Sequence, residues 1–336
     1  MAYRPDIKVN VSLTSFPARI SIVPQVIRSI INQSVKPDRI LLWLSRDQFP
    51  MEEADLPAEL TTLKENGLEI MWCDDIRPHK KYFYTMQKYP HDITITVDDD
   101  VVYKENVIET LLKSYERFPF AVSCLRAHQI TFSGDGNLNG YRLWKRGVQT
   151  VHYPNHALLA VGVGGVLYPP DCFGETAFNK DFIVANCVNA DDLWLKVNEI
   201  VHNVPVVLAA ASEDVKNIKG SQNEALYKSN DFSDANDVQF AAILDHFEKS
   251  ATGRSITDIL RISAGAIENS DNMGDEGTRE LLRLAQNDIA EIKNSFSYKA
   301  GRFITFIPRC ADTFIKCVQN NGFGYTVKLI LKKIGI

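Results

Sequence analysis

The sequence has no C-x-x-C pair; its six cysteines, Cys73, Cys124, Cys172, Cys187, Cys310 and Cys317, are scattered and mostly sit in apolar contexts. Such thiols pack as small hydrophobes, and a reduced, cytoplasmic setting is expected. There is no run of about 18 apolar residues of the kind a spanning helix needs. The opening Met-Ala-Tyr-Arg-Pro-Asp lacks the apolar core of a signal peptide. Internal repeats and long low-complexity segments are also missing. What is present is globular: 336 residues, 45% hydrophobic and 24% charged, enough for one large domain or two moderate ones.

The net charge of −5 hides an asymmetry. From Ile292 to Ile336 there are eight lysines and arginines against Asp312 alone, so the rest of the chain is acidic. Val327, Ile330, Leu331 and Ile334 follow helical spacing, with Lys328, Lys332 and Lys333 on the other side. With Phe303, Ile304, Phe306 and Ile307 upstream, this tail suits an anionic membrane interface. The alternative is a helical hairpin packed on the main domain or on a partner subunit. Nucleic acid is not expected, because the basic residues are interleaved with aliphatic ones.

Periodicity places a half-exposed strand at Lys8 to Thr14, a helix over Pro24 to Gln33 and a buried strand at Ile40 to Leu44, which begins a βαβ series. Strands at Leu68 to Trp72 and Ile93 to Val97 continue it, followed by a helix over Val107 to Phe118. Beyond Gly134 the pattern loosens until Val161 to Tyr168, where Gly162, Gly164 and Gly165 permit close backbone approach. A helix over Leu193 to Val201 and a late strand at Val204 to Leu208 follow. The expected fold class is α/β, with a mainly parallel central sheet flanked by helices and a helical C-terminal extension. The expected divisions are a catalytic domain over 1–248, a helical or linker segment over 249–291 and the basic tail over 292–336.

Asp98, Asp99 and Asp100 close the apolar stretch Ile93 to Val97, so a strand delivers concentrated negative charge to a sheet edge, where open α/β sheets bind ligands. Three adjacent carboxylates must be solvated, partly protonated or neutralised by a cation. Asp98 and Asp100 point the same chemistry at Mg²⁺ or Mn²⁺, which accept oxygen ligands and leave positions for a diphosphate. Asp99 has the simpler alternative of a solvated or helix-capping side chain. A second pair, Asp191 and Asp192, precedes an apolar helical segment; Asp192 is either an ordinary cap or a carboxylate able to take a proton from a hydroxyl. Trp194 is a sugar-stacking platform or a core residue. Arg19, Lys80 and Lys81 sit in loops after strands, where they are either surface charges or partners for a diphosphate. His202, His246 and Asp214 are further metal-ligand candidates that spacing does not separate.

The segments VSLTSFPARI (Val11 to Ile20), ILLWLS (Ile40 to Ser45), WCDDI (Trp72 to Ile76), TVDDDVVY (Thr96 to Tyr103), GVGGVLYPP (Gly162 to Pro170) and NADDLWL (Asn189 to Leu195), in this order, resemble bacterial polysaccharide-type glycosyltransferases with the GT-A fold, related to glycosyltransferase family 2. The match runs through most of residues 7 to 245. The resemblance implies that Thr14, Ser15 and Arg19 border the nucleotide, that Asp75 reaches base or ribose, and that Lys80 approaches the diphosphate. It implies an aspartate-x-aspartate site at Asp98 and Asp100, with Asp99 in the donor-binding set, and room for sugar and acceptor at Gly164 and Gly165. Asp192 matches the position of the general base of inverting members; the pair here is Asp-Asp where Glu-Asp is common, which leaves Asp191 as the alternative.

The function implied is metal-dependent, inverting transfer of a sugar, a hexose, from a nucleotide-diphosphate donor such as a UDP-sugar. The acceptor would be a hydroxyl of a surface polysaccharide or lipid-linked glycan. The enzyme would work at the inner face of the cytoplasmic membrane, with a homo-oligomer compatible. Two rivals are a sugar-phosphate nucleotidyltransferase, disfavoured because Thr-Ser-Phe-Pro-Ala-Arg replaces a Gly-rich basic loop after the first strand, and a non-catalytic nucleotide- or glycan-binding subunit.

Overall fold

The computed structural model describes residues 7–211, 216–218, 234–247, 253 and 255–268. The strands are β1 (Val9–Thr14), β2 (Arg39–Ser45), β3 (Leu68–Cys73), β4 (Ile93–Thr96), β5 (Val101–Val102), β6 (Val122–Cys124), β7 (Ala127–Gln129), β8 (Leu158–Ala160), β9 (Val166–Tyr168), β10 (Val206–Leu208) and β11 (Lys216–Asn217). The main helices are α1 (Val23–Ile31), α2 (Ala58–Thr62), α3 (Lys80–Lys88), α4 (Val107–Arg117), α5 (Lys180–Asn186), α6 (Asp191–Val201) and α7 (Ala235–His246). Residues 256–268 form a further helix.

Seven strands form one sheet in the order β10-β6-β9-β4-β1-β2-β3. Every pairing in it is parallel except those of β9, which runs antiparallel to both β4 and β6. The α/β, mainly parallel architecture is therefore as expected. A buried sheet of this kind needs both faces covered. Val26, Ile27 and Ile30 of α1 and Leu111 of α4 cover one face with Val11, Leu13 and Ile95. Tyr82 and Phe83 of α3 and Trp194 and Val197 of α6 belong to a second cluster with Val122, Val166 and Tyr168.

Two expectations are corrected. The first strand is not half-exposed: β1 lies between β2 and β4, and its polar residues Asn10 and Ser12 are buried with partners. Ser12 Oγ donates to the Lys81 carbonyl at 2.5 Å and meets Thr85 Oγ1 at 2.7 Å, while Asn10 bonds Arg39 and Asp92. Lys80 and Lys81 do not lie in a loop; they open α3 and are buried. The compact unit runs to Glu268, and Ile256, Leu260, Ala264 and Ile267 are buried in the same cluster as Phe240 and Ile243 of α7. The tail over 292–336 and most of 249–291 lie outside the described residues, as does Asp214. Among the described residues no helix is long and apolar enough to cross a membrane.

Candidate active site

The parallel strands β1, β2, β3 and β4 end at one edge of the sheet, and β9 starts there, since Val166 pairs with Thr96. Chain direction thus brings the loop before β9, with Gly162 to Gly165, beside the carboxylates that follow β4. Gly165 has φ +90°, a left-handed conformation that glycine adopts without cost. Tyr103 joins the two loops: its Oη accepts the Asp98 amide at 2.8 Å and donates to the Val163 carbonyl at 3.3 Å.

α6 delivers the second acidic pair to the same place. A Cβ built on Gly162 would lie 3.0 Å from Lys81 Nζ, 3.2 Å from Asp98 Oδ1 and 3.5 Å from Asp192 Oδ1. Asp98 and Asp192, 94 positions apart by their numbers, therefore face one small space, and the missing side chain at 162 keeps it open. The Gly162 amide donates to Asp192 Oδ2 at 3.3 Å. Lys81 Nζ is 2.8 Å from Asp98 Oδ1 and 3.1 Å from Asp191 Oδ2; the second contact is an ion pair without hydrogen-bond alignment.

The two members of the acidic pair are electrostatically unlike. Burial pushes Asp191 up, but Lys81 outweighs it and holds the carboxyl below the usual range. Asp192 is driven well above that range by burial and by the charge of Asp191. It is not a helix cap: α6 begins at Asp191 and its N-terminus carries no side-chain cap bond.

Of the three consecutive carboxylates, Asp98 is the most exposed, with 28% of its side chain accessible. Asp99 is neither solvated nor a cap; Ser15 Oγ donates to it at 2.6 Å and Arg19 Nη1 at 2.8 Å. Arg19 Nη2 also lies 3.2 Å from Asp100 Oδ2. Burial, with Asp98 next, pushes Asp100 up to about 6. Among the described residues no group of three His, Cys, Asp or Glu side chains could hold a metal ion. Asp98 and Asp100, each beside a cation (Lys81 and Arg19), offer hard oxygen donors of the type Mg²⁺ or Mn²⁺ takes, with the remaining ligands to come from phosphate and water. His202 and His246 are placed otherwise: His202 bonds the Asn198 carbonyl and the Gly174 amide, and His246 stacks on Phe182.

At the end of β1, Thr14 Oγ1 donates to the Trp43 carbonyl at 2.8 Å. Lys80 is held by Asp75 at 2.7 Å, and Gln48 Nε2 donates to the other Asp75 oxygen at 3.1 Å. Two expected roles do not fit their surroundings. Trp194 is wholly buried, donates to the Ala177 carbonyl at 2.9 Å and stacks on Phe182, so it shows no face to a sugar. The space over Gly164 is filled by the backbone of Leu125 and Arg126, and that over Gly165 by Val107, Leu111 and Tyr103. Those glycines serve close packing, and Gly162 is the one that opens the site. Tyr103 is a site residue that the sequence does not announce, and Lys81, expected as a surface charge or a diphosphate partner, pairs with carboxylates instead. The adjacency of Lys81 to an apolar Tyr82-Phe83 pair was the available sign that this lysine starts a buried helix.

No protein-family model matches the chain, and no curated protein matches it in sequence. Solved structures of similar fold include S. aureus TarS 1-349 in complex with UDP, at 10% identity over 62% of this chain and TM-score 0.38. The chain spans 59% of that structure's length. The mannosyltransferase PcManGT from Pyrobaculum calidifontis, in complex with GDP-Man and Mn²⁺, is similar at 10% identity over 89% of this chain and 83% of its own, with TM-score 0.46. A 4-diphosphocytidyl-2C-methyl-D-erythritol synthase from Anaerococcus prevotii is similar at 10% identity over 67% of this chain and 96% of its own, with TM-score 0.38.

Proposed function

We propose that the chain is a GT-A-type, inverting glycosyltransferase that moves a hexose from a nucleotide-diphosphate donor, a UDP-sugar in our reading, to a hydroxyl of a glycan. One observation carries this: the carboxylates after β4 and the pair opening α6 converge on Gly162, with Asp98 and Asp192 oxygens 3.2 and 3.5 Å from the point where its Cβ would be. Direct displacement at an anomeric carbon needs a base on one side and charge relief for the leaving group on the other.

Asp192 takes the base role. It accepts the proton of the acceptor hydroxyl as the oxygen–carbon bond forms and the bond from the anomeric carbon to the diphosphate breaks. Its raised pKa makes it the stronger base of the pair, and the Gly162 amide orients it. Asp98 and Asp100 would hold Mg²⁺ or Mn²⁺, whose Lewis acidity would neutralise the departing diphosphate. Arg19 and Ser15 fix Asp99, and through Arg19 also Asp100, so that the loop keeps its shape. Thr14, Asp75 and Lys80 lie along the same strand-end edge and suit the nucleotide. A surface polysaccharide or lipid-linked glycan acceptor, met at an anionic membrane through the basic tail, extends this reading on the sequence alone.

The test is release of nucleoside diphosphate from a panel of UDP- and GDP-sugars with Mn²⁺, repeated with Asp192→Asn. The variant should bind UDP as the wild type does and lose turnover; unchanged turnover removes Asp192 from the mechanism. Donor binding without release would favour a non-catalytic subunit. Pyrophosphate release from a nucleoside triphosphate and a sugar phosphate would favour the nucleotidyltransferase.

A further inference from the structure

Lys81 occupies a place that neither helix propensity nor core packing explains. Its side chain is 7% exposed, and a buried ammonium is strongly unfavourable unless paired. It has two partners from distant parts of the chain, Asp98 at 2.8 Å and Asp191 at 3.1 Å. Its backbone is equally constrained. Ser12 of β1 donates to its carbonyl, and Thr85, one turn on, meets Ser12 Oγ at 2.7 Å and accepts Trp43 Nε1 of β2 at 2.6 Å. The first turn of α3 is thereby fixed on two central strands, and the ammonium is held where Gly162 leaves room for it.

We propose that Lys81 is the positioning residue that sets the spacing between the donor-side carboxylate Asp98 and the acceptor-side pair Asp191 and Asp192. This rests on the glycosyl-transfer reading and deepens it. Without the ammonium, three carboxylates would share one small space and repel. With it, Asp191 pairs with Lys81, and Asp192 is left to face the acceptor, held by the Gly162 amide. A lysine suits this task because its compact point charge can pair with two carboxylates at once, one by a hydrogen bond and one by charge alone.

Lys81→Met alone leaves Asp191 buried without its cation and is expected to lose stability, so the deciding variant is Lys81→Met with Asp191→Asn, which has no orphaned charge at that contact. Asp191→Asn alone, in which Lys81 still holds Asp98, is the control. The measurements are the thermal midpoint, calorimetric binding of UDP with Mn²⁺, and kcat and KM for nucleoside diphosphate release, UDP from UDP-glucose, UDP-galactose and UDP-N-acetylglucosamine and GDP from GDP-mannose. The double variant should melt near the wild type and bind UDP within threefold. Its kcat should fall about 100-fold, the scale of a misplaced reacting group, with donor KM little changed. The control should lose less than tenfold. A double variant within tenfold of wild-type kcat, or a control as slow as the double, would overturn the proposal while leaving the glycosyltransferase reading intact. A wild type that releases no nucleoside diphosphate from any of these donors overturns both.

Discussion

The main-chain amide of Gly162 donates to the Asp192 carboxylate across 3.3 Å, so a glycine in the loop before β9 orients an acid at the start of α6. The same glycine would place a Cβ 3.0 Å from Lys81 Nζ and 3.2 Å from Asp98 Oδ1. Those contacts are with the far ends of side chains, not with backbone. Gly162→Ala should therefore fold with near wild-type stability while turnover falls tens of fold, as Lys81 and Asp98 are pushed off their positions. Gly164→Ala differs, because its Cβ would meet the Arg126 amide nitrogen at 2.8 Å and the Leu125 carbonyl carbon at 3.1 Å. Backbone cannot yield cheaply, and an overpacking loss of about 1–3 kcal/mol is expected. Urea denaturation and donor turnover of both variants check the contrast; equal stability losses would refute it.

Arg19 neutralises two neighbouring buried carboxylates at once, Asp99 at 2.8 Å and Asp100 at 3.2 Å. Removing one partner of a buried ion pair leaves an uncompensated charge, a loss of roughly 3–5 kcal/mol. Arg19→Met should show a loss of that order in chemical denaturation. Adding Asp99→Asn should recover a large part of it, since the amide oxygen still accepts from Ser15 and carries no charge. A single-variant loss under about 1 kcal/mol would mean that solvent already shields this cluster.

Acid should destabilise the fold through His79. Burial holds this imidazole at about 4 against an ordinary value of 6.5. It meets Tyr82 Oη at 3.0 Å and the Cys187 carbonyl at 2.9 Å. Between those values the unfolded chain binds the proton and the folded chain does not, so stability is complete above about pH 6.5 and is lost as pH falls toward 4. The shift corresponds to roughly 3 kcal/mol. His156, also lowered to about 4 by burial and then by Lys196, adds in the same direction. Midpoints measured from pH 7 to 5 should fall less steeply for His79→Gln than for the wild type; parallel curves would dismiss His79 as a contributor.

Much of the sheet was legible because its signals are local. Val26, Ile27 and Ile30 give α1, Leu111 and Leu112 give α4, and the apolar run of β2 gives a buried strand. The errors came where a polar group is satisfied by something far away in sequence. Asn10 and Ser12 made β1 look half-exposed, yet their partners are Arg39, Asp92, Thr85 and the Lys81 carbonyl. Lys81 looked like a loop cation because its counter-charges lie on β4's exit loop and on α6. α7 buries only Phe240 and Ile243 and carries no regular apolar stripe to announce it. Both acidic clusters were visible as composition, but their meeting at Gly162 depends on the antiparallel insertion of β9, which no spacing encodes.

Trp194 separates a packing role from a binding role. It sits three residues into α6, fully buried, with its indole N–H on the Ala177 carbonyl and its ring stacked on Phe182 at 5.4 Å and tilted against Phe247 at 5.6 Å. Trp194→Phe removes the hydrogen bond and part of the ring volume. The lost bond and the space left behind together amount to about 1–3 kcal/mol. Because no atom of the ring reaches solvent, KM for donor and acceptor should stay within about twofold at a temperature where the variant is folded. A platform for a sugar ring would give the opposite pattern, intact stability with weakened binding, since one stacking contact contributes about 0.5–1.5 kcal/mol. Thermal melts and KM values of the one variant thus decide whether α6 presents only its acidic first turn to the ligand.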